Sequence, residues 1–277
     1  MIRIITDSST LYTIEEGRKL NIDVVPLSVT INNQTYREFE EINAEEFNAL
    51  IQERHIPTSS QPPIGDFIEL FEKYKEDQVL VISMADGLSG TYQSVVGAQR
   101  ISGQDNIVVI NSKTLCLPHR YLVNDAIAMR DAGHSFEEIV DMVRQKIETV
   151  HSFLLPQDFD FLKRGGRLTA VAALLSGVLK LQPVVMQTED GLRLDEFTVG
   201  RNFTSAVKKV IHYLSEIGLD NTYRFCVSHA FVPEQAQKVS QMIKNQFQDA
   251  KVEIAELSCA FITQGGPQCL AIQAITA

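Results

Sequence analysis

The sequence predicts an α/β protein built from two domains. Short aliphatic or β-branched runs of strand length alternate with segments whose apolar residues repeat at helical spacing. Such alternation is typical of a parallel sheet covered by helices. The chain has 277 residues, which exceeds the roughly 100 to 150 residues typical of one domain. We therefore expect an N-terminal α/β domain over residues 1–150 and a C-terminal α/β domain over residues 151–277.

In the first domain, strands are predicted at residues 2–6, 22–25, 79–83 and 107–111. Residues 28–36 alternate apolar and polar side chains around Asn32 and Asn33, which predicts a small β-hairpin outside the main sheet. A helix is predicted over residues 136–150, because its apolar residues fall on one face behind Ser135, with Glu138 at the capping-box position.

In the second domain, residues 151–155 precede a turn at Pro156 and a break at Gly165 and Gly166. Strands are then predicted near residues 183–186, 193–198, 223–228 and 252–257. Two amphipathic helices separate the later strands. The first carries apolar residues from Val207 to Ile217, and the second begins at Pro233.

Charge argues against a nucleic-acid partner. The formal net charge is -10, which repels a polyanion unless a local basic patch exists. Lys163, Arg164 and Arg167 form the densest basic stretch, and three cations are too few for that role. A solvated helix end explains them more simply.

Hydropathy and cysteine spacing narrow the class of protein further. No apolar run reaches the roughly 20 residues that cross a bilayer, and the N-terminus lacks the apolar core of a signal peptide. We therefore expect a cytoplasmic protein without an integral membrane segment. The four cysteines are far apart in sequence and form no Cys-x-x-Cys pair, which predicts buried free thiols.

The common catalytic patterns are incomplete. Neither phosphate-binding glycine pattern, Gly-x-x-x-x-Gly-Lys-Ser/Thr or Gly-x-Gly-x-x-Gly, occurs in the sequence. Ser89 follows a predicted strand in Gly87-Leu88-Ser89-Gly90, but the second glycine of a Gly-x-Ser-x-Gly elbow is missing. The six histidines show no metal-ligand spacing, so no metal is expected. An esterase or acyltransferase with Ser89 as nucleophile stays open as an alternative.

Three hydroxyl-rich turns are the remaining unusual feature, at residues 6–10, 58–62 and 89–91. Two of them follow predicted strands, where α/β folds place ligand sites. Helix capping is the alternative explanation for each, because Ser, Thr and Asp are preferred N-caps.

Four segments together resemble the DegV family, bacterial two-domain proteins that bind a fatty acid. They are Thr6-Asp7-Ser8-Ser9, Ser59-Ser60-Gln61-Pro62, Leu88-Ser89-Gly90-Thr91-Tyr92-Gln93-Ser94, and Leu162-Lys163-Arg164-Gly165-Gly166-Arg167 with the run 172–183 that follows it. The third fits the family's Leu-Ser-Gly-Thr-Tyr segment residue for residue and is the most specific. The resemblance covers nearly the whole chain. It implies a buried fatty-acid tunnel between or beside the two domains.

The resemblance also implies where the lipid carboxylate binds. In the family it is held by the first hydroxyl of the Thr-Ser-Gln-Pro loop and by the serine of Leu-Ser-Gly-Thr, which match Ser59 and Ser89. Backbone N–H groups at a helix start near Gly90 and Thr91 would add a dipole that favours an anion. For Ser59 the alternative is a cap on the helix over residues 64–74.

A tail in such a tunnel would supply most of the affinity. Each buried methylene contributes about 0.8 kcal/mol, so roughly 14 of them would contribute on the order of 11 kcal/mol before ordering costs. Ordinary core packing is an equal alternative for each residue in the predicted lining. That lining is Phe153, Leu155, Leu174, Leu175, Val178 and Leu179.

Some family members are the lipid-carrying subunit of a fatty acid kinase and present the carboxylate to a separate ATP-using subunit. The resemblance therefore implies a kinase partner, a fatty acid as the only ligand, no cofactor, and no reaction catalysed by this chain itself. Two departures weaken the kinase part. Arg201 alone matches the family's arginine-rich stretch, and Gln264 stands where the family has a histidine near the head group. An amide cannot become cationic near neutral pH.

Overall fold

The computed structural model describes residues 1–170, 181–188 and 190–277. The chain divides into two compact units, Met1–Glu148 and Thr149–Ala277. Both units are mixed α/β, as the sequence predicts. Among the described residues, no helix is long and apolar enough to cross a membrane. The predicted lining residues Leu174, Leu175, Val178 and Leu179 lie outside the described residues.

The first unit is built around a parallel sheet. Its strands are β1 (Ile2–Asp7), β2 (Asp23–Val25), β3 (Ser28–Ile31), β4 (Gln34–Arg37), β5 (Thr58–Ser60), β6 (Gln78–Ser83) and β7 (Ile107–Asn111). Its helices are α1 (Ile14–Lys19), α2 (Ala44–Gln52), α3 (Ile64–Lys73), α4 (Thr91–Ser102), α5 (Cys116–Asp131) and α6 (Phe136–Ile147). The order β2-β1-β6-β7 is parallel throughout. β1 and β6 are buried on both faces over most of their length, which explains the run of four aliphatic residues in β6 and the adjacent Ile4 and Ile5 in β1.

The predicted capping box is present at the start of α6. Ser135 Oγ accepts a hydrogen bond from the Glu138 amide, and the Glu138 carboxylate accepts one from the Ser135 amide. These two bonds satisfy donors that a helix start leaves without partners. Helix α6 therefore begins where the sequence places it.

A second, small sheet has the order β4-β3-β5. β3 and β4 form the predicted hairpin, and Asn32 and Asn33 at its turn have φ angles of 51° and 60°. Asparagine is one of the few residues that adopts this left-handed conformation readily. A hydroxyl-rich turn is predicted at residues 58–62, whereas Thr58–Ser60 forms strand β5 against β3.

The second unit contains a mixed six-stranded sheet of order β10-β9-β8-β13-β11-β12. Its strands are β8 (His151–Leu155), β9 (Gln182–Gln187), β10 (Leu194–Gly200), β11 (Tyr223–His229), β12 (Lys251–Glu256) and β13 (Leu270–Thr276). Its described helices are α7 (Phe159–Gly165), α8 (Phe203–Glu216), α9 (Pro233–Gln246) and α10 (Cys259–Gly265). β13 was not predicted, although it lies at the centre and pairs antiparallel with both β8 and β11.

The core of the second unit contains two of the predicted tunnel residues. Phe153 packs edge-on against Phe197 and Tyr213, with ring centroids 4.9 and 5.9 Å away. Leu155 is fully buried in the same cluster. These contacts match the core-packing alternative, and a tunnel-lining role for the two residues stays a prediction.

All four cysteines, Cys116, Cys226, Cys259 and Cys269, are buried and form no disulfide, as predicted. Burial raises the pKa of the Cys269 thiol to about 12. The thiolate is the reactive form of cysteine, so Cys269 is inert near neutral pH.

Candidate functional site

Ser89 lies in the turn between β6 and α4, at the carboxyl end of a central parallel strand. Its amide donates to Ala85 O at 3.3 Å. Its hydroxyl lies 2.8 Å from Thr91 Oγ1 and accepts from the Thr91 amide at 3.3 Å. Ser89 is partly exposed and Thr91 is fully buried. The turn thus places one accessible hydroxyl beside the first residue of α4.

At the start of helix α4, Ser89 Oγ accepts from the Thr91 amide at 3.3 Å, and the N-cap residue adds no side-chain bond. That N-cap residue is Gly90. The N-terminus of a helix carries a partial positive charge and amides without intrahelical partners, so it favours an anion. The exposed Gly90 leaves that end of α4 open to solvent.

Ser59 lies in the middle of β5, opposite Val29 of β3. It is not the N-cap of the following helix, because that position in α3 is occupied by Pro63. The capping explanation for Ser59 is therefore wrong. Ser59 is half-buried and belongs to the small sheet.

Gln61 joins the Ser59 segment to the start of α4. Its Nε2 donates to Ser94 Oγ at 2.7 Å. Its Oε1 lies against Gly90, so closely that a Cβ added there would be 1.9 Å away. Gly90 has a φ of −70°, which any residue adopts. A larger residue at position 90 would therefore have to displace the end of the Gln61 side chain, although the backbone conformation would accept it.

Gln61 thus places the segment that contains Ser59 against Gly90 and Ser94 of the first unit, and a common site for Ser59, Ser89, Gly90 and Thr91 stays a prediction. Gln61 stands inside the quoted Ser59-Ser60-Gln61-Pro62 segment. Gln61 could have been identified in the sequence as a long amide side chain two positions after the candidate hydroxyl of Ser59.

Arg201 and Gln264 belong to the second unit. Arg201 is exposed in the turn between β10 and α8, next to Asn202, which caps α8. Gln264 lies in α10, and its Oε1 would be 2.1 Å from a Cβ on Gly165 at the end of α7. Their proximity to a lipid head group stays a prediction.

A buried polar cluster lies at the carboxyl ends of β1 and β6. Thr6, Asp7, Ser8, Ser9 and Thr10 are all at least 99% buried. The first hydroxyl-rich turn is therefore an internal structure and not an accessible ligand loop.

His119 of α5 is fully buried in this cluster. Its Nδ1 lies 2.8 Å from Ser9 Oγ, and its Nε2 lies 3.2 Å from Thr6 Oγ1 and 3.0 Å from Ile82 O. Burial lowers the pKa of His119, and this outweighs the nearby Asp7 charge and the Ile82 carbonyl, which raise it. The imidazole is therefore neutral near pH 7.

The Ser89 hydroxyl lacks the surroundings of a catalytic nucleophile. Among the described residues its hydrogen bonds are with Thr91 and not with a histidine. A serine nucleophile needs a base within hydrogen-bond reach. The described residues also hold no group of three or more His, Cys, Asp or Glu that could bind a metal ion. The arrangement provides hydrogen-bond donors for an anion.

Comparisons with known proteins agree with this fold. Residues 1–277 match the model of a family described as "Uncharacterised protein, DegV family". A DegV domain-containing protein of Listeria innocua is 31% identical over 259 residues, which are 92% of this chain and 91% of that protein.

Two solved structures have the same fold. The crystal structure described as DegV, a fatty acid binding protein from Bacillus subtilis, is 27% identical, with a TM-score of 0.86 over 100% of this chain and 99% of that one. A stearic acid-binding protein from Eubacterium ventriosum is 22% identical, with a TM-score of 0.86 over 100% and 98% of the chains. At that identity the second likeness shows the fold alone.

Proposed function

Because this chain belongs to the DegV family, we propose that it binds a long-chain fatty acid in a buried tunnel, with the carboxylate held by Ser59 and Ser89. The observation that carries the proposal is the contact between the Ser59 segment and the start of α4 through Gln61. Through these contacts the segment that contains Ser59 lies against Gly90, the residue that follows Ser89. The Gly90 N–H, and the Thr91 N–H if it exchanges its 3.3 Å bond to Ser89 Oγ for one to the ligand, would complete the proposed head-group site.

Neutral donors suit a site that must also release its ligand. Most of the binding free energy would come from the tail, at about 0.8 kcal/mol per buried methylene. Hydrogen bonds to a charged group contribute about 1.5 to 3 kcal/mol each, so two hydroxyls are sufficient to orient the carboxylate. A structure from Bacillus subtilis with the same fold is described as a fatty acid binding protein, which supports this ligand class.

The test of the head-group assignment is a titration of delipidated protein with hexadecanoic acid. We expect Ser89→Ala to weaken binding about tenfold, because one hydrogen bond to the carboxylate is lost. Ser102→Ala is the matched control, since its hydroxyl caps the far end of α4 by donating to Gln99 O. Equal affinities for the wild type and Ser89→Ala would contradict the assignment.

We further propose that the chain presents its lipid to a separate ATP-dependent kinase and catalyses no reaction itself. The absence of both phosphate-binding patterns from the sequence supports this division of labour. Gln264 and the single Arg201 are the features that argue against phosphoryl transfer. The test is pull-down of an ATP-dependent kinase from the source cell with lipid-loaded protein, followed by detection of acyl phosphate. A cytoplasmic location stays a prediction.

A further inference from the structure

We infer that two adjacent buried residues, Asp7 and Ser8, are positioning residues that hold the Ser89 and Ser59 segments in a fixed relation to each other. The inference rests on the proposed function, because it concerns the same head-group site. Neither residue is accessible to a ligand, since Asp7 is 1% exposed and Ser8 is fully buried.

Asp7 anchors the Ser89 turn. Its Oδ2 accepts from the Met84 amide at 2.9 Å and from Ser83 Oγ at 3.3 Å, while its Oδ1 accepts from the Ser9 amide at 3.0 Å. Met84 begins the turn that contains Ser89. The next residue, Ala85, accepts from the Ser89 amide. The carboxylate of Asp7 is therefore connected to Ser89 by two hydrogen bonds and one step of the backbone, from Met84 to Ala85.

The other side of this turn is fixed independently. The Ala85 amide donates to Thr114 O at 2.9 Å, and the Ser112 amide donates to Ser83 O at 2.8 Å. Removal of the Asp7 bonds would thus loosen the turn without detaching it from β7. We expect a shift of Ser89 and not a loss of the fold.

Ser8 anchors the small sheet that contains Ser59. Its hydroxyl accepts from the Leu27 amide at 2.8 Å and donates to the carboxylate of Glu38, which is fully buried. Leu27 immediately precedes β3, and its carbonyl accepts from the Glu38 amide. β3 in turn pairs with β5, with Val29 opposite Ser59. Ser8 is thereby connected to Ser59 through one strand pairing.

The two connections diverge from neighbouring positions of the chain. Asp7 ends β1, and Ser8 begins the short turn Ser8–Thr10 that follows it. Gln61 provides a further link between the Ser59 segment and the helix that follows Ser89, because its side chain donates to Ser94 of α4. The spacing between the two candidate hydroxyls is therefore determined inside the protein, and Asp7 and Ser8 determine it without contacting the ligand.

The test compares hexadecanoic acid with 1-hexadecanol, which has the same chain but a neutral head group. The readout is the ratio of the two dissociation constants, because a uniform loss of tail binding cancels from that ratio. We expect Asp7→Asn to lower the preference for the acid about tenfold, as Ser89→Ala does. An asparagine amide has one acceptor oxygen, so it cannot accept from both the Met84 and Ser9 amides through separate oxygens. Ser8→Ala should lower the preference by a similar factor.

Thr10→Val is the matched control. Thr10 is equally buried in the same turn, but its hydroxyl bonds only Asp7 O and the Tyr12 amide, at 3.1 and 3.4 Å. This variant should lower the melting temperature and keep the acid preference within about twofold of wild type. The double variant Asp7→Asn/Ser89→Ala should show no lower preference than Ser89→Ala alone, since Asp7 acts through Ser89.

The outcomes separate the two claims. If Ser89→Ala keeps the wild-type preference, the head-group assignment fails, and the positioning inference fails with it. If Ser89→Ala lowers the preference but folded Asp7→Asn and Ser8→Ala behave like Thr10→Val, only the positioning inference is overturned. Should Asp7→Asn not fold, Ser83→Ala takes its place. It removes only the 3.3 Å bond to Asp7 and should lower the preference about threefold, as expected for one weak hydrogen bond.

Discussion

Replacement of Gly90 by alanine tests the contact that brings the two candidate loops together. The new Cβ would lie 1.9 Å from Gln61 Oε1, whereas real Cβ atoms stay at least 3.0 Å from such neighbours. The end of the Gln61 side chain must therefore move by roughly 1 Å or more. That movement breaks the 2.7 Å bond from Gln61 Nε2 to Ser94 Oγ. We expect Gly90→Ala to lower the free energy of unfolding by about 1 kcal/mol, the net contribution of one such hydrogen bond.

The assay is a double-mutant cycle with Gln61→Ala, measured by urea unfolding of delipidated protein. Gln61→Ala alone should also cost about 1 kcal/mol, and Gly90→Ala should cost little in that background, because the obstructing oxygen is gone. The two substitutions should therefore couple by about 1 kcal/mol. Gly65→Ala is the matched control, because nothing lies within 4 Å of its Cβ position. Gly103→Ala is unsuitable, because Gly103 has a φ of 63° and alanine would be strained in that backbone conformation. Simple addition of the two single effects would refute the reasoning.

Three further predictions concern other parts of the chain. Burial lowers the pKa of His119, so the unfolded chain binds an extra proton below about pH 6.5. The free energy of unfolding should therefore decrease as the pH is lowered below that value, by up to about 1.4 kcal/mol per pH unit. A His119→Gln variant should lose the part of this pH dependence that comes from His119. Burial also lowers the pKa of His151 and His229, but these two histidines contribute equally to the wild type and the variant. If urea unfolding gave the same pH dependence for both proteins, this prediction would be contradicted. A fluorophosphonate probe should not label Ser89, and labelling that disappears in Ser89→Ala would favour the esterase alternative. Gly200→Ala would place a Cβ 2.6 Å from the Ala206 amide nitrogen, so we expect a loss of about 1 to 3 kcal/mol in calorimetry, and a wild-type melting temperature would disprove that clash.

Local sequence patterns predicted the elements whose stability is decided locally. β6 and β7 each contain a run of four aliphatic residues, β1 contains three isoleucines, and α6 has its capping box and one apolar face. The hairpin follows from the two asparagines at its turn. Each of these signals is contained within a few neighbouring residues.

Two strands were missed, a short polar one and the apolar segment Leu270–Thr276, whose strand-like residues were overlooked. Thr58–Ser60 is short and polar, and it forms a strand only because β3 presents a free edge to it. Leu270–Thr276 lies between β8 and β11, whose residues are far away in sequence. No local pattern records which strands will lie beside such a segment.

The candidate site was only partly predicted, because it also depends on contacts between residues that are far apart in sequence. Ser59 and Ser89 were identified through the family resemblance, while Gln61 was not, because its contact with Gly90 exists only after α3 and α4 have packed together. The turn after β1 was considered as a ligand loop, since spacing alone does not distinguish buried hydroxyls from accessible ones. Its complete burial supports a different role for Asp7 and Ser8.

The central claim is that the chain carries a fatty acid, and the most direct test is to extract the purified protein with organic solvent and analyse the extract by mass spectrometry. We expect about one fatty acid per chain, and uptake of hexadecanoic acid to the same stoichiometry after delipidation. A protein that releases no fatty acid and takes up none would contradict the account.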